Sequence, residues 1–484
     1  MSEEQRRAPL AAAMQAYAAG GARPFHTPGH KQGLGAHGLL QRLITPEGLK
    51  EDVSLMEELD DLNHPSGCIL ESETLAAELY GAETAYFMVN GTSGAVHVML
   101  MATLSPGDEV LVPRNAHRSV FNALVLCGAV PVWLSTATDD RLGIALGVTT
   151  ETVREALVAH PAVKAILVTY PNYYGIAFDL KSVAALAHAH GLTVLVDEAH
   201  GPHLRFSPEL PPDALTCGAD LVAQSTHKLL GSLTQTSILF RQGDRVLHEA
   251  VRRAAALLAT TSPNYLLLAS LDIARLQMAE NGVALVERAM RLAEGVRAVV
   301  NDTPGLWCFG QEYMGRPGAE ALDVTKVTVQ TAWLGLSGAA AADILRQQYN
   351  LQCELADAYN VLFLLTIADT ENEALRLAKS LKDFAIRNRR EAISRPMVAP
   401  LDIPPLCLAP REAFFASSEA VPLARAAGRI AAEEITFYPP GIPVICPGER
   451  ISREILDHLS ALRALGLRVT GPEDVTLQMI RVVC

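Results

Sequence analysis

The sequence is poor in several features that would fix its class early. Its eight cysteines, Cys68, Cys127, Cys217, Cys308, Cys353, Cys407, Cys446 and Cys484, are scattered, and no two form a C-x-x-C pair. That excludes a disulfide frame or a zinc site by spacing and predicts reduced thiols in a cytoplasmic protein. Positive charge is scarce: 40 Lys and Arg stand against 53 Asp and Glu, a formal net charge of -13. Phosphate backbones are bound by clustered Lys and Arg, so nucleic acid is not an expected partner. A cationic substrate is compatible with this balance. No apolar run is long enough to cross a bilayer, so no membrane association is expected. Arg6 and Arg7 precede APLAAAMQAYAAGGA, but Gln15 and Tyr17 interrupt that stretch, which predicts an N-terminal helix and not a signal peptide. Internal repeats and low-complexity tracts are absent as well.

What is present suits a packed enzyme. Hydrophobic residues make up 49% of 484 positions and charged residues 19%, enough for two or three domains. Short β-rich runs occur at 85–89, 109–113, 131–135, 165–170, 193–200 and 220–226, with helical stretches such as 180–191 between several of them. Strand, helix, strand predicts an α/β fold: a mostly parallel sheet with helices on both faces, whose ligands bind beyond the carboxyl ends of the strands. A helix-rich region at 245–302 leads out of this domain. A smaller α+β unit follows, with strands at 323–331 and 361–368 and a helix at 338–349, and then a Pro-rich linker at 394–406. The expected organisation is an N-terminal segment (1–60), a large cofactor domain (61–305), a small α+β domain (306–393) and a C-terminal domain (394–484) containing FYPPGIPVICPGE.

Three strand ends carry chemistry. NGTSGAVHVMLMATL (90–104) runs from small polar residues into an apolar helix, whose first-turn amides, with Thr92 and Ser93, suit a phosphate. By itself it also reads as a plain helix cap. TVLVDEAHGPH (193–203) puts Asp197 at the end of a buried run, where a carboxylate is costly without a cationic partner. A structural aspartate is the alternative there. A metal is not expected, because Asp197, His200 and His203 lack a further ligand and match no metal signature. ADLVAQSTHKLLGSLTQTS (219–237) places Ser225, His227 and Lys228 after another apolar run. A lysine in a dry pocket becomes a usable amine nucleophile, and an isolated one is an ordinary surface residue.

Together the three motifs meet the needs of pyridoxal 5′-phosphate (PLP): a phosphate cradle, an acid for the pyridine nitrogen and an amine for the aldehyde. His117, in VPRNAHRSV, follows a further strand end and offers a ring to stack on the cofactor. GLGAHG (33–38) matches a dinucleotide fingerprint literally, but HTPGHKQ before it is no strand, so it is set aside.

The chain resembles the Orn/Lys/Arg decarboxylases of PLP fold type I, the aspartate-aminotransferase-like fold, and specifically their compact bacterial arginine-decarboxylase type. HTPGHKQG, LDDLNHPSG, FMVNGTSGA, VPRNAHRS, VDEAHGPH, STHKLLGSLTQTS, TSPNYLLLASLD and YPPGIPVICPGE carry the likeness, in family order and over nearly the whole chain. The resemblance implies that Lys228 bonds the cofactor aldehyde and that Ser225, His227, Thr92 and Ser93 hold its phosphate. It further implies that Asp197 pairs with the ring nitrogen, Ala199 packs against the ring and His117 stacks on the other face. His200 stands where the larger inducible members carry Trp. Their N-terminal response-regulator-like wing has no counterpart here, so their ring assemblies are not expected.

The implied activity is decarboxylation of a basic amino acid in a cytoplasmic homodimer or higher homo-oligomer with its active site at the subunit interface. Arginine, giving agmatine and CO2 for polyamine biosynthesis, is expected ahead of lysine and ornithine. Asp60, Asp61 and Glu434 are candidate carboxylates for the distal cationic group. The cofactor motifs alone also allow an aminotransferase or aldolase of the same fold, and a non-catalytic protein that keeps the fold is a third reading.

Overall fold

The computed structural model describes residues 2–389, 401–437 and 441–484. Most of the linker expected at 394–406 and the first residues of YPPGIP lie outside that set. The chain forms two compact units, one of Met1–Thr103, Leu195–Ser207 and Asp213–Val286, the other of Leu104–Val194, Pro208–Pro212 and Glu287–Cys484.

The expected N-terminal helix spans Pro9–Ala19 in the first unit, with proline in its first turn, where a missing N–H costs nothing. Strand Thr84–Met88 pairs antiparallel with Ser237–Arg241, which pairs antiparallel with Leu221–Gln224. The latter runs parallel to the end of Thr193–Asp197, with Asp197 opposite Ala223. Ser237–Arg241 was not among the predicted strands. It runs opposite to Leu221–Gln224, and the connection between them, residues 225–236, holds only the one-turn helix Thr226–Leu229.

In the second unit, Glu109–Pro113 pairs parallel with both Val130–Leu134 and Ala165–Thr169. Helix Arg118–Cys127 links the first two of these strands and ends at Gly128, whose φ of 75° is the left-handed cap that glycine adopts without strain. The predicted helix at 180–191 spans Leu180–Ala189 and is capped by Asp179, which accepts the Ser182 N–H.

The second unit also contains a four-stranded antiparallel sheet in the order Trp307–Cys308, Lys326–Gln330, Asn360–Leu364, Leu355–Ala356. Val327, Val329, Val361 and Phe363 pack there with Leu345 of helix Gly338–Tyr349 and with Leu381 and Phe384 of helix Glu371–Asn388. The strand expected from 323 begins at Lys326 because Asp323 turns the chain first, accepting from Thr325 and pairing with the buried Lys326 ammonium. Towards the C-terminus, Ile435–Phe437 pairs with Ile442–Ile445 and Val469–Thr470, and helix Arg453–Ala464 packs Ile455 and Leu459 against Ile435 and Ile445. Among the described residues no helix is long and apolar enough to cross a membrane.

The end of strand Thr193–Asp197 is held by Glu198. Its side chain is fully buried and accepts from the Ala214 N–H and the Gln224 Nε2, both at 2.7 Å. Burial, reinforced by the Asp213 and Asp197 carboxylates, pushes its carboxyl well above the ordinary range. Gly201 must stay small, because a Cβ there would lie 2.5 Å from Glu198 Cγ. Two buried donors depend on this one side chain. Glu198→Ala is expected to destabilise the protein by about 3 kcal/mol, the cost of leaving both unpaired, and Glu198→Gln by less than half as much. Urea unfolding midpoints measure both.

Candidate active site

Each predicted residue of the first unit lies where a strand gives way to a helix or loop. Asp197 is the last residue of its strand and is 4% exposed. Its Oδ1 accepts the Ala199 N–H at 3.1 Å. Burial pushes its carboxyl up, against the pull of the nearby Lys228 charge. Lys228 sits in the last turn of Thr226–Leu229, half-buried, with its Nζ 3.0 Å from His200 Nε2. His200 is 3% exposed, so the imidazole side of this contact is buried while the amine side is half-buried. A buried carboxylate, a buried imidazole and a half-buried amine thus share one region, and the sequence alone left His200 without a definite role.

The second group gathers at the start of helix Gly91–Thr103. Thr92 Oγ1 lies 2.5 Å from Ser225 Oγ and 2.9 Å from Ser237 Oγ, and Ser237 Oγ donates to the Gln224 carbonyl at 2.7 Å. Each hydroxyl has one proton. Since that of Ser237 goes to a carbonyl, Thr92 donates to Ser237 and Ser225 donates to Thr92. The first-turn amides of a helix have no partner within it. Gly91 opens the helix with φ 67°, and a Cβ there would meet nothing within 4 Å. His227 Nδ1 is 2.6 Å from the Thr236 carbonyl. A carbonyl only accepts, so Nδ1 carries the proton. Ser93 is exposed and stands apart from the hydroxyl chain.

Ser237 was missed as a site residue. It closes the small-residue stretch after Lys228, but its place against Thr92 depends on strand pairing, which leaves no local signal. His117 belongs to the second unit, where it caps helix Arg118–Cys127. Its Nδ1 accepts the Ser119 N–H at 3.2 Å, which puts the ring proton on Nε2.

All three candidate distal carboxylates already have protein partners. Asp60 Oδ2 accepts the N–H groups of Gly67 and Ile69, ahead of and within helix Cys68–Tyr80, and Oδ1 accepts that of Ser66. Burial alone would raise the Asp60 carboxyl, yet these backbone donors hold it below its ordinary range. Glu434 Oε1 pairs with Arg118 Nε at 3.3 Å. Asp61 accepts the Asn63 N–H.

A sequence profile of the Orn/Lys/Arg decarboxylase major domain matches residues 8–373, and one of the Orn/Lys/Arg decarboxylase C-terminal domain matches residues 402–475. The chain belongs to the Orn/Lys/Arg decarboxylase family. This decarboxylase is 42% identical over 481 residues to an arginine decarboxylase of Bacillus subtilis, covering 99% of this chain and 98% of the relative. It is 44% identical over 461 residues to one from Bacillus anthracis, covering 95% and 94%. A crystal structure of a Francisella novicida lysine decarboxylase superposes with a TM-score of 0.85 at 24% identity, over 98% of this chain and 81% of that one, which shows the fold. The fold is PLP fold type I and the cofactor is PLP.

The Lys228–His200 contact has a direct chemical consequence. The hydrogen bond at 3.0 Å occupies the amine whichever of the two groups donates. In cofactor-free protein at neutral pH, His200→Ala is therefore expected to raise the acylation rate of the Lys228 amine roughly tenfold, the equivalent of one hydrogen bond. Peptide mapping after timed labelling measures it, and an unchanged rate would show that the contact does not restrain the amine.

Proposed function

We propose that this enzyme decarboxylates a basic amino acid, arginine ahead of lysine and ornithine, giving agmatine and CO2 from arginine. The observation that carries this reading is the full-length likeness to relatives named arginine decarboxylase, at 42% and 44% identity. The structural neighbour named lysine decarboxylase is at 24%.

The residues present fit the cofactor. A buried carboxylate such as Asp197 needs a cationic donor, and a protonated pyridine nitrogen is one. The open space at Gly91 and the first-turn amides beside it suit a phosphate. In this reading Lys228 holds the aldehyde and Asp197 keeps the ring nitrogen protonated. Thr92, Ser93, Ser225 and His227 hold the phosphate. His227 would do so through Nε2, since Nδ1 is spent on the Thr236 carbonyl. Ala199 packs against one ring face and His117 against the other. When bound, PLP supplies an electron sink for the pair left as the substrate carboxylate departs as CO2. Lys228 or His117 then returns a proton to the substrate Cα. His200 orients the Lys228 amine from 3.0 Å. We further propose a cytoplasmic homodimer as the smallest active form.

A panel measuring CO2 release and amine product over arginine, lysine and ornithine tests the reading. The expected outcome is highest kcat/KM for arginine, loss of at least roughly 10³-fold in kcat for Lys228→Ala, and a fall of about 10²–10³-fold for Asp197→Asn. Absence of CO2 from all three substrates, or keto-acid formation from an amino donor, would overturn it.

A further inference from the structure

His117 lies on a short loop between strand Glu109–Pro113 and helix Arg118–Cys127, and residues on both sides of it are fastened to the C-terminal part of the second unit. Three positions before it, Arg114 donates from Nη1 to the Pro443 carbonyl at 2.7 Å. From Nη2 it donates to the Val444 carbonyl at 3.1 Å and to Glu449 Oε2 at 3.0 Å. One position after it, the Arg118 N–H donates to the Gly441 carbonyl at 3.2 Å, and Arg118 Nε pairs with Glu434. Pro443 and Val444 lie on strand Ile442–Ile445, Gly441 directly before it and Glu449 on the turn that follows it, while Glu434 directly precedes its partner strand Ile435–Phe437. The loop is tied on its other side as well, where Asn115 Nδ2 donates to the Leu146 carbonyl and the Arg114 N–H to the Leu134 carbonyl, both at 3.0 Å.

The anchor at Glu449 is itself rigid. Its carboxylate is wholly buried and also accepts the Cys446 N–H at 2.8 Å, closing its own turn. Gly448, inside that turn, has φ 92°, and a Cβ there would lie 2.3 Å from the Leu408 carbonyl oxygen, so only glycine fits. This is the physical content of the CPGE stretch: glycine for the turn, glutamate for the anchor. On the other side, the Arg114 guanidinium carbon lies 5.9 Å and 5.5 Å from the ring centroids of Phe121 and Trp133, which stack on each other at 4.9 Å. Removing one partner of such a buried pair leaves the other charge uncompensated, so the pair holds its geometry or the loop moves.

We propose that the C-terminal domain positions His117, with Arg114 and Glu449 as the principal positioning pair and Arg118 with Glu434 as a second tie. The inference rests on the reading of His117 as the residue that stacks on the cofactor. Its content is that the CPGE turn serves the site through the His117 loop. Arg114 and Glu449 are positioning residues, since each acts on the cofactor only through that loop.

The experiment uses the holoenzyme and its variants His117→Ala, Glu449→Gln and Arg118→Met, the last keeping the Arg114 anchor and the loop backbone, with Glu449→Gln and Arg118→Met each also combined with His117→Ala. The readouts are the circular dichroism of the cofactor absorption band, the cofactor dissociation rate and kcat/KM. Glu449→Gln is expected to change the cofactor band in the same sense as His117→Ala and to speed dissociation about tenfold, as a displaced positioning group does. Arg118→Met should act in the same direction, less strongly. In the His117→Ala background Glu449→Gln should add little, because both act through one side chain. A folded Glu449→Gln enzyme with an unaltered band and dissociation rate would overturn the proposal, as would a Glu449→Gln effect that keeps its full size without His117. If Glu449→Gln does not fold, Arg118→Met with and without His117 decides the matter in the same way. An unaffected His117→Ala enzyme would instead remove the underlying reading of His117.

Discussion

A buried carboxylate beside an amine constrains the site more than any other interaction. Asp197 is almost entirely out of water, and desolvation works against its charge while Lys228 works for it. A buried carboxylate is costly without partners, so Asp197 depends on what the other elements bring. His200 meets the amine, and the Ala199 N–H meets one carboxylate oxygen. Directly after Asp197, Glu198 ties the strand end to the neighbouring strand and to the loop at Ala214. The site is therefore supported by a second buried acid whose task is purely architectural.

The phosphate side is organised by strand direction. The connection after Gln224 carries the one-turn helix bearing Lys228, and the next strand returns antiparallel. That return brings Ser237 against Thr92 and builds the hydroxyl chain from Ser225 to the Gln224 carbonyl. One short connection thus fixes both the position of the amine and the wall of the cradle beside it.

The second unit shows how a distant part of a chain can matter to a loop. Arg114 and Arg118 flank His117, and both bond to residues more than 300 positions away in sequence, as the separations of 329, 330 and 335 for Arg114 show. The turn that receives Arg114 contains a glycine no other residue can replace. Family likeness extends over both the major and the C-terminal domain, in keeping with a loop built from the two together.

Much of this was legible in the sequence. Apolar runs ending in Asp197 and before Lys228 mark strands buried on both faces, and small polar residues before an apolar run mark the helix start at Gly91. These signals are local: period, propensity and capping act within a few residues. They gave the strand–helix alternation, the placing of the cofactor motifs at strand ends and, through the family resemblance, the chemistry. The antiparallel Ser237–Arg241 strand, the hydroxyl chain through Ser237, the hold of His200 on the Lys228 amine and the ties around His117 were not legible. Each joins residues that have no regular spacing in the chain. Pairing register and burial decide such contacts, and those arise only when the whole chain has packed.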